Sequence, residues 1–258
     1  MIDPSHGAAG FAVGTLVGLT GVGGGSLMTP LLVLGFGVPA VTAVGTDLLF
    51  AGLTKVGGAV SHGLAGNVDW AVTARLAAGS VPGTTLALGT LAVLPPAGAA
   101  TKVVVSVALG AMLLLTALAL VLRSRLLAWA RAGASNDSPR SRGAWTVAVG
   151  ALIGVAVTFS SVGAGAVGVT ALILLFPLLA TVRVVGTDIA HAVPLTLLAG
   201  FGHAALGHVD WAMLASLLAG SLPGILLGSH LAPRIPERAL RHSLAAVLVL
   251  AGGKLVLH

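Results

Sequence analysis

The sequence predicts an all-α, multi-pass membrane protein made of two inverted repeats, each with a glycine-broken re-entrant helical hairpin and three transmembrane helices. Its 258 residues have a mean hydropathy of +1.07 and only 8% charged residues, whereas soluble domains carry about 25%. Several apolar runs reach the roughly 20 residues that a helix needs to cross a bilayer. In addition, four motifs recur in the same order, three at an offset of 141 residues and one at an offset of 140.

The repeated motifs divide the chain into two halves. Three pairs are offset by 141 residues (185 against 44, 207 against 66, 220 against 79): VGTD at 44–47 and 185–188, GNVDW at 66–70 with GHVDW at 207–211, and GSVPG at 79–83 with GSLPG at 220–224. The stretch GVGGGSLMTP at 21–30 pairs with SVGAGAVGVT at 161–170, an offset of 140 (161 against 21). We therefore expect repeats at residues 1–125 and 143–258, joined by a basic cytoplasmic linker at 126–142.

Each half contains the same elements in the same order. A glycine-interrupted apolar stretch comes first (11–36 and 146–180), followed by a helix with the Gly-Thr-Asp motif near its start (41–64 and 182–206). A third helix begins at Val-Asp-Trp and contains a Gly-Ser-x-Pro-Gly kink (68–94 and 209–231). A charge-poor helix closes the half (101–122 and 239–257).

The interrupted stretch admits two topologies. Phe11–Thr20 is about 15 Å long as a helix, half of a roughly 30 Å hydrocarbon core, so two short pieces could enter and leave on one side. Full crossings would make the halves parallel, whereas hairpins make them inverted. Only the hairpin topology places Arg75, Arg183 and the 234–241 cluster on the side of the central basic loop, as the positive-inside rule favours. It also places both termini outside.

Paired glycine-broken segments in two halves are typical of a transporter binding site at the repeat interface. Helix N-termini beside the breaks would present partial positive charge to an anion. The glycines and hydroxyls that we expect to bind it are Gly23, Gly24, Gly25, Ser26, Ser161, Gly163 and Gly165.

Ionisable side chains inside the apolar helices are the other candidates, because they are costly in a membrane and mark function. Lys55 is expected to attract the anion. Asp47 and Asp188 could either support packing or accept a proton that couples transport to the proton gradient, with His191 three residues after Asp188 on one helix face. The preceding threonines, Thr46 and Thr187, could donate hydrogen bonds to substrate oxygens.

Other chemistries have weaker support in the sequence. His62 and His203 correspond in the two halves, yet no multi-ligand motif surrounds them, so we expect packing histidines and no metal. The chain has no cysteine, which excludes thiolate chemistry. The glycine run lacks the last glycine of a dinucleotide fingerprint and the Lys-Ser/Thr of a P-loop, so no cofactor is expected. Asp69 and Asp210 are expected to lie at the N-termini of helices, where aspartate is a preferred capping residue.

Three of the first-half motifs resemble those of a known protein family. GVGGGSLMTPLLV, AVGTDLLFAGLTKVGGAVSHGLAGNVDW and AGSVPG, with weaker second-half copies, resemble the TauE/SafE sulfite exporter family over nearly the whole chain. The resemblance implies an integral membrane protein whose substrates are sulfite, sulfoacetate or related sulfur anions. The second half departs from the pattern, with Ala164 opposite Gly24 and Ala166 opposite Ser26, so the two halves of the site differ.

These observations together predict a secondary transporter in the cell (inner) membrane that exports a small sulfur-containing anion, sulfite or an organosulfonate, with proton coupling. The expected partners are the small anionic substrate and membrane lipid. No nucleic acid is expected, because the net charge of +6 lies largely beside the membrane helices. The alternatives are an anion channel and a transporter of another organic anion. An enzyme is not expected, because no nucleophile–base constellation is visible. The sequence does not indicate an oligomeric state.

Overall fold

The computed structural model describes residues 3–20, 25–95, 98–132, 139–232 and 237–257, and these residues form ten helices and no strand. The first half contains α1 (Pro4–Thr20), α2 (Gly25–Phe36), α3 (Ala40–Leu64), α4 (Trp70–Val93) and α5 (Ala99–Ala132). The second half contains α6 (Pro139–Ser160), α7 (Ala166–Leu175), α8 (Thr181–Ala205), α9 (Trp211–Leu231) and α10 (Glu237–Leu257).

Six of these helices are long and apolar enough to cross a membrane: α3, α4, α5, α6, α8 and α9. The predicted all-α, multi-pass membrane fold is thereby confirmed. Shorter apolar helices occur at Ser26–Phe36, Ala166–Leu175 and His242–Val256. The helix that begins at each Val-Asp-Trp motif is also confirmed, because Asp69 and Asp210 cap α4 and α9 by accepting the backbone N–H of Val72 (3.1 Å) and Met213 (2.9 Å).

The structure corrects two expectations about length. The first member of each broken pair is longer than a half-helix: α1 has 17 residues and α6 has 22, about 25 and 33 Å. Only α2 and α7, with 12 and 10 residues, are short. Within the predicted linker 126–142, α5 continues to Ala132 and α6 begins at Pro139.

The two halves exchange helices in their packing. The first helix of each half packs along the fourth helix of the other half, so that α1 contacts α9 and α6 contacts α4. Glycines in both partners allow backbone contact, as small-xxx-small interfaces do in membranes. Along α1 and α9 they lie in order: Gly10 on Leu217, Gly14 on Ser221 and Gly18 on Ile225. Along α6 and α4, Gly150 lies on Leu76 and Gly154 on Ser80.

These contacts also give the relative directions of the helices. Contacts advance together along α1 and α9, and along α6 and α4, so each pair is parallel. Between α3 and α8 they run in opposite senses, since Gly45 lies against His203 and Gly52 against Leu197. The pair formed by the equivalent helices α3 and α8 is therefore antiparallel. It places the midpoints of both helices together in the centre of the molecule.

Candidate functional site

The break of the second half is a tight, buried turn between α6 and α7. Ser161, Gly163 and Gly165 have φ angles of 57°, 123° and 145°, which are left-handed conformations that glycine adopts without a Cβ penalty. Ser161 is the one non-glycine residue with positive φ among the described residues, and it is only 4% exposed. The turn thus holds a serine hydroxyl inside the protein.

Lys55 reaches this turn from the middle of α3. Its ammonium group donates a hydrogen bond of 2.7 Å to the carbonyl oxygen of Ala164. The residue is half-buried, and Asp188 and Asp47 are the carboxylates whose charges act on it, Asp188 the more strongly. The predicted cation therefore lies at the break of the opposite half.

Asp47 connects the same region to α2, the short helix of the first half. One carboxylate oxygen of Asp47 accepts a short hydrogen bond from the hydroxyl of Thr29, and both residues are fully buried. The other oxygen, Oδ1, has no hydrogen-bond partner among the described residues, and neither has the hydroxyl of Ser161. The Ser161 hydroxyl lies near the Asp47 carboxylate, and the charge of Lys55 acts on the same carboxylate. Buried polar atoms in proteins are nearly always hydrogen-bonded, so these two unpartnered groups mark the cluster as a candidate binding site.

Asp188 occupies the equivalent position in the second half and lies against α7. The residue is 3% exposed, and any Cβ at Gly168 would collide with its carboxylate. A side chain at position 168 would displace the Asp188 carboxylate, because the backbone of α7 approaches that carboxylate closely. Each aspartate thus lies beside the first turns of the short helix in its own half.

His191 belongs to the Asp188 side of this cluster. Its Nε2 lies 2.8 Å from the hydroxyl of Ser80 in the Gly-Ser-x-Pro-Gly motif of α4, and the ring is 2% exposed. Phe50 stands at the corresponding position of α3, 141 residues earlier (191 against 50), so the first half has no such group. Sequence reasoning missed Ser80, Thr29, Ala164 and Gly168; the repeated motif around Ser80 was the available signal for one of them.

Thr46 and Thr187 lie elsewhere and are engaged in a structural role. Both are fully buried, and each accepts a backbone N–H from the cap of a helix in the other half: Asp210 to Thr46 (3.0 Å) and Asp69 to Thr187 (2.9 Å). Their expected contact with substrate stays a prediction that these hydrogen bonds do not favour. Of the first-half break, Gly25 opens α2 and Ser26 is 5% exposed, while Gly23 and Gly24 lie outside the described residues.

The other buried histidines make separate contacts, and the described part of the chain contains no group of three or more His, Cys, Asp or Glu residues arranged so that it could hold a metal ion. His203 Nε2 lies 2.9 Å from the carbonyl oxygen of Thr158, and its ring meets the ring of His208 at 5.4 Å. Burial lowers the pKa of His208, which lies in the loop after α8. The Nδ1 of His62 is buried without a partner among the described residues.

Comparisons with known proteins give one consistent family. The family model described as "Sulfite exporter TauE/SafE" matches residues 7–255. The chain is 39% identical over 248 residues to a probable membrane transporter protein, YjnA, of Bacillus subtilis (strain 168), covering 96% of this chain and 97% of that protein. It is 26% identical to the probable membrane transporter protein YdhB of the same organism, covering 94% and 95%. No solved structure matches significantly.

Proposed function

The chain belongs to the TauE/SafE sulfite exporter family of membrane transporters, and we propose that it is a secondary transporter that exports a small sulfur-containing anion, sulfite or an organosulfonate. The sulfur chemistry of the substrate comes from the family. The central cluster formed by Lys55, Asp47, Asp188 and the second-half break supports the proposed position of the anion.

One observation carries the proposal: the hydrogen bond between Lys55 Nζ and the carbonyl oxygen of Ala164. An isolated lysine in the middle of an apolar helix costs about 2.5–3.5 kcal/mol on insertion scales, so its position calls for a compensating role. The carboxylates of Asp188 and Asp47 act on its charge, but among the described residues the ammonium group donates to this carbonyl alone and makes no direct ion pair with either carboxylate. An anion that enters between the break and α3 completes the coordination of the ammonium group, and the unpartnered Ser161 hydroxyl donates to it.

The charges of the cluster also support proton coupling. Two ionised carboxylates facing one ammonium group leave a net charge of −1, which repels an anion. When Asp188 or Asp47 takes up a proton, the cluster becomes neutral and admits the anion beside Lys55. Anion and proton therefore bind together and cross together, and export requires an outward gradient of the anion that is large enough to carry the proton with it.

The exchanged packing of the halves suggests how access alternates. We propose that the two repeats are inverted, with α2 and α7 returning to the side from which α1 and α6 enter. The antiparallel pair α3–α8 and the parallel pairs α1–α9 and α4–α6 support this arrangement. Rocking of the helix pairs around the central cluster would open it first to one side and then to the other.

Flux into proteoliposomes tests the substrate class. Purified protein is reconstituted, a pH gradient is imposed, and uptake of sulfite, sulfate, a small alkylsulfonate and acetate is compared with that of protein-free liposomes. The alkylsulfonate does not titrate near neutral pH, so its movement reports transport alone. Accumulation of sulfite or sulfonate above equilibrium supports a coupled transporter; downhill flux without accumulation indicates the channel alternative; and transport of acetate alone removes the sulfur substrates.

A further inference from the structure

A second concave site lies at the end of the helices away from the arginine-rich end of α5. Three helix ends form it: the C-terminal part of α2, the N-terminal part of α5 and the last turns of α10. Its volume is about 570 Å³. The lining consists of Val33, Leu34, Lys102, Val103, Ser106, Val107, Lys254, Leu255 and Val256. We call it the lysine groove.

Two lysines supply all the charge of the lysine groove. Lys102 lies in the first turns of α5 and Lys254 in the last turn of α10, and both are exposed. No acidic residue is part of the lining. Within the described ranges neither lysine makes an ion pair or hydrogen bond with another side chain. Two ammonium groups in one groove without a counter-ion attract an anion from outside the protein.

The rest of the lining favours a ligand with an apolar part. Six of the nine residues are valine or leucine, and a small hydrated anion gains nothing from such a wall. The position also matters, because both lysines stand at ends of apolar helices, where the polar headgroups of a bilayer lie. A phospholipid places its phosphate at that depth and its acyl chain along the valines below.

We infer that the lysine groove binds one anionic phospholipid, with the phosphate between Lys102 and Lys254 and an acyl chain along Val103 and Val107. A zwitterionic lipid fits less well, since its own ammonium group would face two lysines. The inference is independent of the proposed transport substrate, because the groove shares none of its lining residues with the Lys55 cluster.

Native mass spectrometry of the detergent-solubilised protein tests it, with phosphatidylglycerol and phosphatidylcholine of identical acyl chains as probes. We expect phosphatidylglycerol to bind more tightly, and Lys102→Gln/Lys254→Gln to weaken it about 30-fold, as expected for two lysines near an anionic surface. The matched control, Arg125→Gln/Arg131→Gln, removes two charges from the opposite end of α5 and should retain the tight lipid.

A second variant separates the lipid from a small anion. Val103→Trp fills the apolar wall and leaves both lysines, so it should weaken phosphatidylglycerol binding as well. Equal binding of the two lipids, or equal loss in the arginine control, would overturn the inference. Displacement of phosphatidylglycerol by inorganic phosphate at equal concentration would also overturn it, because the site would then take small anions.

Discussion

Lys55 in α3 and Ala164 in the break before α7 are joined by a hydrogen bond of 2.7 Å from the lysine ammonium to the alanine carbonyl oxygen. The residue that corresponds to Lys55 in the second half is Thr196 (196 against 55), whose hydroxyl bonds to Ala192 one turn earlier in its own helix. The cluster therefore has one cation, and it belongs to one half. The repeats match in architecture and differ in the chemistry of the site.

Asp188→Asn should uncouple transport from the pH gradient. Asparagine resembles the protonated carboxyl, so the cluster stays neutral and accepts the anion without taking up a proton. We expect exchange of labelled sulfonate across the membrane to continue while accumulation driven by a pH gradient is lost. The KM of the wild type should rise with pH, and the KM of the variant should be nearly independent of pH. Counterflow and gradient-driven uptake in proteoliposomes measure both properties.

Asp47→Asn serves as the comparison for that variant. If both variants accumulate sulfonate as the wild type does, neither carboxylate carries the coupled proton. If only Asp47→Asn loses accumulation, the proton site lies on the α2 side of the cluster, next to Thr29.

Thr187→Val should reduce stability and leave the KM for the anion unchanged. The valine keeps the shape of threonine but cannot accept the N–H of Asp69, which is 2.9 Å from the hydroxyl. Leaving that donor unpaired should cost about 1–3 kcal/mol, seen as a lower midpoint of thermal unfolding in detergent. A KM that rises tenfold while stability is retained would instead assign Thr187 to the substrate site.

Gly14→Ala should disturb the contact between α1 and α9. A Cβ at this position would lie 2.7 Å from the Cα of Ser221, so the helices must separate, at a cost of about 1–3 kcal/mol. Gly89→Ala in α4 is the matched control, because its Cβ meets nothing within 4 Å and alanine favours the helix. The midpoint of thermal unfolding should be lower for Gly14→Ala than for the wild type, and equal or higher for Gly89→Ala. Equal midpoints for the two variants would contradict the close contact between α1 and α9.

The inverted arrangement that we propose for the halves predicts which residues face the outside. The chain has no cysteine, so a single introduced cysteine is labelled without background. A membrane-impermeant maleimide applied to intact cells, or to spheroplasts where an outer membrane is present, should label Ser5→Cys at the start of α1. It should label Ala132→Cys at the end of α5 only after permeabilisation. Labelling of both from one side would indicate parallel halves with full crossings.

The repeated motifs predicted where helices occur, because they contain local signals, such as a capping aspartate, that can be recognised in the sequence. Asp69 and Asp210 cap the helices that they were expected to start. The predicted helix 41–64 is observed as Ala40–Leu64. The predicted lengths of α1 and α6 were too short. Glycine and polar residues before Phe11 and around residues 139–145 reduce the hydropathy of the sequence without ending the helix.

The contacts between distant helices could not be predicted from such local signals. The exchange of α1 and α6 between the halves depends on close backbone approaches at glycines that lie four residues apart, Gly10, Gly14 and Gly18 in α1 and Gly150 and Gly154 in α6. This spacing is a recognisable packing signal, but it does not identify the partner helix. The same limit applies to the threonines. The position of Thr46 beside Asp47 suggested that it binds substrate, yet its hydroxyl accepts the backbone N–H of Asp210, 164 residues away. Lys55 could be recognised in the sequence as a charge within an apolar helix. Its partner Ala164 could not, because the contact is made by a backbone carbonyl and not by a side chain.

We propose that Lys55 binds the transported anion, and flux through Lys55→Ala measures the contribution of its charge. Sulfite and alkylsulfonate uptake under an imposed pH gradient would be compared between wild type, Lys55→Ala and Thr54→Ala, a neighbour whose hydroxyl bonds within its own helix. Removing a charge-assisted contact worth about 1.5–3 kcal/mol predicts a roughly 10- to 100-fold loss of uptake in Lys55→Ala and wild-type uptake in Thr54→Ala. Undiminished uptake by folded Lys55→Ala would show that Lys55 does not bind the transported anion.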